Sequence, residues 1–392
     1  MIRRELSIKL QILATQFPAV AVLGPRQSGK TTLVQSVFPE YLYFSFEDPD
    51  VRALIQEDPR GFLNKYKDER GIILDEVQHV PFLFSYMQTH IDATKKIGHF
   101  IVTGSQNLLV NESITQSLAG RIALLTLLPL SIQELTRSQQ LTADIDDALF
   151  KGCYPALYTS ALPAPLDWYR SYINTYLERD VRQIKNITDL SIFQKFMKLC
   201  AGRIGRLIDL TSLSNDTGMS VHAIKQWLSV LEASYIIFFL QPYYRNLGKR
   251  VIKSPKLYFY DTGIACSLLS ITEPGQLFTH YLRGSLFESY IIADLFKQRL
   301  NAGLNVDCYF WQDHTGHEVD CIIEHGQKLI PLEIKVGATI NPDFFKNLMQ
   351  WNKIADTLPE NNILVYGGDS NFAGPHAQIL SWRTIGHIAL KG

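Results

Sequence analysis

Short runs of apolar residues recur through the first third of the chain and alternate with segments of helical periodicity. Continuous runs of this length are typical of strands that are buried on both faces of a parallel sheet. They cover residues 19–23, 71–76, 100–105 and 121–127, and residues 41–46 add a run in which aromatic and smaller side chains alternate. Leu6, Leu10 and Leu13 have the spacing of one helix face and predict a helix over residues 3–16. The pattern predicts an α/β domain.

A glycine-bounded loop separates the first apolar run from the helix that follows it. Its residues fit the pattern G-x-x-x-x-G-K-[ST] and are Gly24, Pro25, Arg26, Gln27, Ser28, Gly29, Lys30, Thr31 and Thr32. Glycines let backbone N–H groups surround an anion without a Cβ clash, and a helix N-terminus attracts phosphate. Lys30 can reach the β- and γ-phosphates, and the Thr31 hydroxyl suits Mg²⁺. The loop is therefore predicted to bind a nucleotide; the alternative is an incidental glycine turn.

The apolar run at residues 71–76 ends in two acidic residues, Asp75 and Glu76. The carboxyl ends of parallel strands share one edge of the sheet, which places these acids beside the loop. Asp75 is predicted to hold Mg²⁺, directly or through water, and Glu76 to orient and deprotonate the attacking water. Acids also favour helix N-termini, which is the alternative explanation of the pair. The extra strand at residues 41–46, between loop and acids, indicates the branch of P-loop proteins with an inserted strand and a catalytic glutamate.

Composition and charge restrict the class of protein. The chain has 392 residues, 46% of them hydrophobic, which suits two or three globular domains. Lys+Arg and Asp+Glu are both 38, so any contact with nucleic acid must come from a local patch.

The five cysteines include no C-x-x-C pair, which favours a reducing compartment. We find no secretory pattern at the start of the chain and no apolar run long enough to span a bilayer, so we expect a cytoplasmic protein without membrane contact.

Residues 18–135 resemble the ATPase module of the AAA-type ATPases of bacteria and archaea. The residues that carry the resemblance are GPRQSGKTT at 24–32, IILDEVQ at 72–78, IVTGSQN at 101–107, SLAGR at 117–121 and LLPLSIQEL at 127–135. The resemblance implies ATP hydrolysis with Mg²⁺, and it makes Gln78 part of the acidic motif. It also implies that Thr103 or Ser105 is a polar sensor near the γ-phosphate, unless the two hydroxyls only cap the next turn.

Arg121 is, by the same resemblance, a candidate arginine finger or nucleotide-sensing arginine. A finger stabilises the charge of the transition state, and when it acts in trans it requires a homo-oligomer. The alternative is an ion pair between Arg121 and a carboxylate of its own subunit.

The middle of the chain is predicted to be mostly helical. Tyr169, Tyr172 and Tyr176 lie on one helix face, which we expect to pack on the ATPase core. The run Y-x-x-x-Y-L-E-R-D-V at residues 172–181 recurs in the same ATPase family. It contains Arg179 and Asp180, for which we expect an ion pair.

Residues 205–260 have the pattern of a winged helix–turn–helix. A short helix with Leu207, Leu210 and Leu213 is followed by a turn at residues 217–219, and Ser220 is the expected N-cap of a second helix over residues 221–233. That helix is predicted to bury Ile224, Trp227, Leu228 and Leu231. Strands at residues 235–240 and 256–260 flank a basic wing with Arg245, Lys249, Arg250, Lys253 and Lys256. The unit suits phosphate and major-groove contacts with DNA, and equally well the docking of a protein or domain.

The last third carries four residues in the arrangement of a PD-(D/E)xK nuclease core. A helix opens with Glu288, and later strands carry Asp320 and then Glu333-x-Lys335. Glu333 and Lys335 face the same side of their strand, so Asp320 could join them around one metal ion. In that chemistry carboxylates bind Mg²⁺ and the lysine positions the attacking water. The C-terminal domains of the same ATPase family look like this fold over roughly residues 265–370, and such folds also occur as binding domains without cleavage.

The fold prediction is therefore α/β in three parts. An AAA-type P-loop ATPase domain covers residues 1–145, a helical linker and winged helix–turn–helix domain residues 146–262, and a PD-(D/E)xK nuclease-like domain residues 263–392. The leading function is ATP hydrolysis coupled to a C-terminal region that acts on DNA. The alternative is an ATP-dependent switch or scaffold whose C-terminal domains bind protein partners and have no nuclease activity.

Overall fold

The protein is described by a computed structural model over residues 2–105, 117–159, 164–176, 189–244, 253–386 and 388–390. It divides into two compact units. The first unit comprises Met1–Pro129 with Ala233–Tyr235 and Leu300–Leu304, and the second comprises Leu130–Glu232, Ile236–Arg299 and Asn305–Gly392. Several predicted features lie outside the described residues: the end of the IVTGSQN motif, Arg179, Asp180, Arg245, Lys249 and Arg250.

Five parallel strands form the sheet of the first unit as the structure describes it. They are β1 (Ala19–Leu23), β2 (Leu42–Ser45), β3 (Ile72–Asp75), β4 (Phe100–Gly104) and β5 (Ile122–Thr126). Their order is β2-β3-β4-β1-β5, and all neighbouring pairs are parallel. The apolar runs therefore predicted the strands correctly. The inserted strand between β1 and β3 is β4, however, and not the strand near residues 41–46, which lies at the sheet edge and is only half-buried.

Helices cover both faces of this sheet. They are α1 (Leu6–Ala14), α2 (Lys30–Val37), α3 (Pro49–Glu57), α4 (Pro59–Lys65) and α5 (Leu83–Thr94). One apolar core includes Ile55, Phe62 and Met87 from α3, α4 and α5, and the other includes Leu10 and Leu33 from α1 and α2. This arrangement exposes only the edges of the sheet, so the carboxyl ends of β1, β3 and β4 can carry the polar residues that follow them.

The second unit begins with a largely helical region. The helices of the whole second unit, as far as it is described, are α6 (Ile132–Arg137), α7 (Ile145–Lys151), α8 (Pro165–Tyr176), α9 (Leu190–Ala201), α10 (Leu210–Thr217), α11 (Val221–Ala233), α12 (Thr262–Leu268), α13 (Arg283–Asn301) and α14 (Lys346–Ala355). The predicted helix–turn–helix is α10, a left-handed Gly218 with φ 75°, and α11. Ser220 Oγ accepts from Ala223 N at 3.2 Å, and the predicted apolar residues of α11 are buried.

A mixed eight-stranded sheet completes the described part of the second unit. Its strands are β6 (Ile237–Pro242), β7 (Lys256–Phe259), β8 (Cys308–Gln312), β9 (Glu318–His325), β10 (Lys328–Lys335), β11 (Ile363–Tyr366), β12 (Phe372–Ala373) and β13 (Gln378–Ser381). The order is β12-β13-β11-β10-β9-β8-β6-β7. The two strands that were predicted to flank a wing, β6 and β7, thus belong to the sheet of the C-terminal region. The predicted boundaries at 145 and 262 both fall within this compact unit.

The tyrosine face of α8 is buried and contacts α12 within the second unit, and its predicted packing on the ATPase core stays a prediction. Tyr169 Oη donates to Asp261 Oδ1 at 2.7 Å, and Asp261 also accepts from Cys153 N at 2.6 Å and Gly263 N at 3.0 Å. Asp261 thereby caps α12 and joins two helices through one buried carboxylate.

All five cysteines are buried free thiols. Within the described residues, none of the helices combines the length and the apolar character needed to cross a bilayer.

Candidate functional site

The loop after β1 adopts backbone conformations that favour glycine. Gly24 has φ 151° and Gly29, the N-cap of α2, has φ 92°. A Cβ built on Gly24 would lie 2.1 Å from the carbonyl oxygen of Leu127, which is backbone and cannot move aside. The loop therefore depends on these glycines for its shape.

The interior of the loop carries groups that suit an anion. Lys30 is buried, and its Nζ donates to the carbonyl oxygens of Gly24 at 3.1 Å and Pro25 at 2.8 Å. The buried Ser28 hydroxyl has no hydrogen-bond partner among the described residues. A buried ammonium that donates to neutral carbonyls, with a buried hydroxyl in the same loop, fits the phosphates of a nucleotide.

Asp75 lies at the carboxyl end of β3 and accepts hydrogen bonds from three hydroxyls. Thr31 Oγ1 donates to its Oδ1 and Oδ2 at 3.1 and 2.9 Å, Tyr43 Oη donates to Oδ2 at 2.8 Å, and Thr103 Oγ1 donates to Oδ1. Burial and the neighbouring Asp75 raise the pKa of Tyr43, so its phenol remains a donor. The adjacent oxygens of Thr31 and Asp75 are the kind of ligands that Mg²⁺ prefers.

Glu76 follows in a left-handed conformation, φ 57°, which is uncommon for a residue with a Cβ. Its Oε2 accepts from Ser105 Oγ at 2.9 Å and from Gln78 Nε2, and its backbone N donates to Thr103 Oγ1 at 3.1 Å. Burial alone would raise the pKa of Glu76. The charge of Lys30, the bonds from Gln78 and Ser105, and the charge of Arg26 outweigh burial, so that the pKa is lower than usual.

The structure thus brings together most of the residues that were predicted to surround a nucleotide. The Thr103 hydroxyl donates to the carboxylate of Asp75 and the Ser105 hydroxyl to that of Glu76, so the two candidate sensors hold different carboxylates. At the rim of the site, Arg26 lies 3.9 Å from Glu47, and the side chain of Thr32 is exposed in the first turn of α2.

Arg121 does not reach the loop of its own chain. It precedes β5, and its carbonyl oxygen accepts from Ala19 N at the start of β1. The length of a five-residue strand, about 17 Å, separates it from the carboxyl edge that carries the loop. Its guanidinium donates to Asp92 Oδ1 at 2.6 Å and Oδ2 at 2.9 Å, which is the ion pair of the alternative interpretation.

Two contacts of Arg4 escaped sequence reasoning. Its Nη1 donates to the carbonyl oxygen of Ser28 in the loop and its Nη2 to that of Leu128, both at 2.6 Å. A single arginine near the start of the chain has no spacing signal that could have identified it.

A second polar site lies in the second unit, where α13, β7, β9 and β10 meet. Glu288, Glu318 and Asp320 each offer a carboxylate oxygen, and these oxygens lie within 4.8 Å of one another. Lys256 from β7 bonds to Glu318 and lies 3.5 Å from Glu288 Oε1. Tyr258 Oη donates to Glu288. Glu288, Glu318, Asp320, Glu333, Lys256 and Lys335 are called the carboxylate cluster below.

Lys335 links Asp320 to Glu333 within this cluster. Its Nζ lies 2.7 Å from Glu333 Oε1 and 3.2 Å from Asp320 Oδ2, and Ile334 N donates to the same Asp320 oxygen at 2.7 Å. Asn347 Nδ2 donates to Glu333 Oε1 at 3.3 Å, while the buried Glu333 Oε2 has no partner in the described part of the chain. The four predicted residues are therefore neighbours, although the group with metal-ligand spacing contains Glu318 and not Glu333.

Sequence reasoning missed Glu318 and misplaced Lys256. Glu318 could have been found, because it precedes Asp320 by two residues on a strand and so shares its face. Lys256 was predicted to line an exposed basic wing, but its side chain is only 4% exposed and points into the carboxylate cluster.

Burial determines the charges of the cluster. It raises the pKa of Glu288 to about 7 and that of Glu333 to about 8, and the nearby Asp320 adds to both shifts. Burial would lower the pKa of Lys256 and Lys335, but the surrounding carboxylates outweigh it and hold both values above the usual one. Both lysines are therefore charged counter-ions of the acids.

Three family models match successive parts of the chain. An AAA domain matches residues 16–136, a domain of unknown function (DUF8612) residues 142–275, and another (DUF4143) residues 283–385. Their order parallels the three predicted parts, whose exact boundaries remain predictions.

The chain is similar to two uncharacterized proteins of bacteria. It is 27% identical to an uncharacterized protein of Mycobacterium tuberculosis over 98% of this chain and 86% of the relative. An uncharacterized protein of Haemophilus influenzae is 24% identical over 67% of this chain and 72% of the relative. Among solved structures, a Walker-type ATPase of Pyrococcus abyssi aligns with 68% of this chain and 96% of its own, at 15% identity and a TM-score of 0.46. By its family matches, the chain contains an AAA-type ATPase domain, followed by regions that match two families of unknown function.

Proposed function

We propose that the protein hydrolyses ATP with Mg²⁺ in its first unit and uses its C-terminal region to act on DNA. One observation carries the first part of this proposal. The Thr31–Asp75 pair lies next to a glutamate whose carboxylate is fixed by Ser105 and Gln78, so that candidate metal ligands and a candidate base share the carboxyl edge of one sheet.

Each residue of this site has a proposed role. ATP brings the phosphoanhydride bond, and Mg²⁺ neutralises its phosphates. The backbone of residues 24–32 and the Lys30 ammonium would hold the phosphates, and Thr31 and Asp75 would hold the metal ion. Glu76, ionised at neutral pH, would orient a water molecule and accept its proton at a carboxylate oxygen. Thr103 and Ser105 would keep the two acids apart and in place.

Arg121 is proposed to act in trans, in the nucleotide site of a neighbouring copy. Its position at the opposite edge of the sheet leaves no role in its own site. Its pair with Asp92 is exposed to solvent, and exposed ion pairs are weak enough to exchange partners.

The experiment for the ATPase part compares Glu76→Gln with wild type and with Glu57→Gln, a matched change at an exposed glutamate of α3. Glu76→Gln should still bind ATP with Mg²⁺ but lose about a hundredfold or more in turnover, because it keeps the shape and removes the base. Glu57→Gln should behave as wild type. Unimpaired turnover in Glu76→Gln would move the base to another residue.

The carboxylate cluster is proposed to bind a divalent cation and to contact a phosphodiester. Glu288, Glu318 and Asp320 have the spacing and chemistry of Mg²⁺ ligands. Lys335 would position a water molecule or a phosphate oxygen, with Glu333 beside it. Nicking of plasmid DNA in Mg²⁺ that is lost in both Asp320→Ala and Lys335→Ala would support cleavage.

A second candidate function is an ATP-dependent switch or scaffold whose C-terminal region binds proteins. Lys256 and Lys335 favour it, because they already supply two positive charges to the four acids from within the cluster. If wild type and both variants are equally inert on DNA and RNA substrates, this second function replaces cleavage.

A further inference from the structure

A cleft in the second unit lies between the end of α9 and the start of α10. It has a volume of about 410 Å³, and its lining includes Lys198, Gly202, Arg203, Arg206, Leu207 and Ser212. Three of these side chains are cationic, and the described residues that line the cleft include no carboxylate. A concave surface with one sign of charge concentrates ligands of the opposite sign.

Two of the three cations have no counter-ion among the residues that the structure describes. Arg203 is held in place, because its Nη1 donates to the carbonyl oxygen of Leu199 at 3.1 Å and its Nη2 to Ser212 Oγ at 3.0 Å and to Asp216. Lys198 and Arg206 are exposed, and in the part of the chain that the structure describes neither side chain has a hydrogen-bond or ion-pair partner. Within the described part of the chain, the cleft therefore has two positive charges without an ion-pair partner beside a third, Arg203, that is held in place.

The cleft and the carboxylate cluster share a wall. Gly205, between the lining residues, has φ 73°, and a Cβ built on it would lie 3.2 Å from the Ser285 side chain and 3.6 Å from Glu288 Oε2. Gly205 N donates to the Leu257 carbonyl at 2.8 Å, and Leu257 N donates to that of Arg206 at 3.0 Å. Leu257 lies between Lys256 and Tyr258, which both contact Glu288, so the cations of the cleft border the acids of the cluster.

We propose that this cleft binds the phosphate backbone of a nucleic acid strand and positions the strand at the carboxylate cluster. The inference rests on the proposed role of that cluster in contacting a phosphodiester. A polynucleotide is the ligand class that matches both parts, because it presents one phosphate to Lys198 and Arg206 and another to a cation-binding set of acids. Arg203 would add a third contact without reorganisation, since its guanidinium is already fixed. Contacts to the backbone position a strand without reading its sequence.

The test measures binding of the full chain to short fluorescent oligonucleotides by anisotropy, over a series of salt concentrations, without ATP and with EDTA. Single-stranded DNA, duplex DNA and RNA are separate arms, and inorganic phosphate is used as a competitor. The variants are Lys198→Ala with Arg206→Ala, and the charge-keeping Lys198→Arg with Arg206→Lys. Lys225→Ala removes an exposed lysine of α11, the second helix of the helix–turn–helix, and serves as the matched control for a lysine outside the cleft.

The double alanine variant should weaken binding about tenfold or more and reduce the salt slope by about 2, because each phosphate contact contributes about one unit. The charge-keeping pair should restore most of the affinity, and Lys225→Ala should match wild type. Unchanged affinity and slope in the double variant would overturn the proposal. So would a loss confined to Lys225→Ala, or competition by inorganic phosphate as effective as that by an oligonucleotide.

The outcomes also separate this proposal from the proposed function. Binding in EDTA reports on the cleft, because no cation then joins the cluster to the strand, and nicking in Mg²⁺ by wild type and Asp320→Ala reports on the cluster. If the cleft variants bind normally while nicking still depends on Asp320, only the cleft fails. If the cleft variants lose binding while Asp320→Ala changes nothing in any assay with Mg²⁺, the cleft stands and the role of the cluster fails.

Discussion

The candidate nucleotide site of the first unit and the carboxylate cluster of the second both contain buried carboxylates. The groups that contact these carboxylates differ between the two sites. Asp75 accepts from the neutral hydroxyls of Thr31, Tyr43 and Thr103, and the Lys30 ammonium of the adjoining loop donates to backbone carbonyls. In the cluster, two lysines contact the acids directly. Hydroxyls orient a carboxylate without neutralising it, whereas a lysine ammonium partly neutralises it and competes with a metal ion for its oxygens. The hydroxyl contacts of the first site thus leave the negative charge of Asp75 in place, whereas the acids of the second site already have two lysine ammonium groups beside them.

Lys30→Ala should have the largest effect on activity. It removes the only ammonium that the described residues place inside the loop, and we expect ATP turnover to fall by at least about a hundredfold. Steady-state turnover with Mg²⁺ measures this, and Lys67→Ala, an exposed lysine of the same unit, is the control. Equal turnover in Lys30→Ala would refute the assignment of the phosphate loop.

Lys256→Met tests whether the cluster depends on its internal counter-ions. Removing one partner of a buried ion pair leaves uncompensated charge, so the free energy of unfolding should fall by roughly 3 kcal/mol or more. Urea unfolding measures it, with Lys253→Met, an exposed lysine from the same segment, as control.

The same variant distinguishes a cation site from a purely structural pair. If Glu288, Glu318 and Asp320 can hold a divalent ion, Mg²⁺ or Ca²⁺ should stabilise Lys256→Met more than wild type. Equal responses of the two proteins to the ion would favour the structural pair.

The two units should respond oppositely to pH. His99 is buried against His90, and burial together with the charge of Lys96 lowers its pKa to about 4. In the unfolded chain His99 binds a proton as pH falls through about 6.5, whereas in the folded chain it stays neutral down to about pH 4. The free energy of unfolding of the first unit should therefore fall by up to about 3 kcal/mol between pH 6.5 and pH 4.

Glu288 and Glu333 have raised pKa values in the folded state, about 7 and about 8, so the sign reverses in the second unit. Their stabilisation is fully present near pH 4.5 and is lost as pH rises through 7 and 8. Hydrogen exchange followed by mass spectrometry reports each unit separately at pH 5 and pH 8. His99→Phe should flatten the acid response of the first unit only, and parallel responses of both units in wild type would contradict the assignment.

The geometry of the candidate nucleotide site was predictable because its residues follow short local patterns and a topological rule. Gly24 to Thr32 form one motif, Asp75 and Glu76 end one apolar run, and parallel strands bring the two to the same edge. The cluster was harder to predict. Its composition depends on β6 pairing with β8 and on β7 delivering Lys256, and such pairings between distant segments leave no spacing signal in a single sequence. Arg4 and Tyr43 escaped prediction for the same reason, since each acts on a segment remote in the chain.

Tyr43→Phe and Tyr258→Phe compare the two regions with one matched change, the removal of a phenol that donates to a carboxylate. Tyr43 is half-exposed, and Asp75 keeps the hydroxyls of Thr31 and Thr103, so we expect a loss of about 1 kcal/mol or less in the free energy of unfolding. Tyr258 is fully buried, and its loss leaves Glu288 with fewer donors, so we expect about 1–3 kcal/mol. Chemical unfolding of both variants at pH 8, where Glu288 is mostly ionised, gives the largest contrast. If the two variants lose the same free energy of unfolding, the kind of group that contacts a carboxylate matters less for stability than the number of its hydrogen bonds. The proposed difference between the two regions would then be wrong.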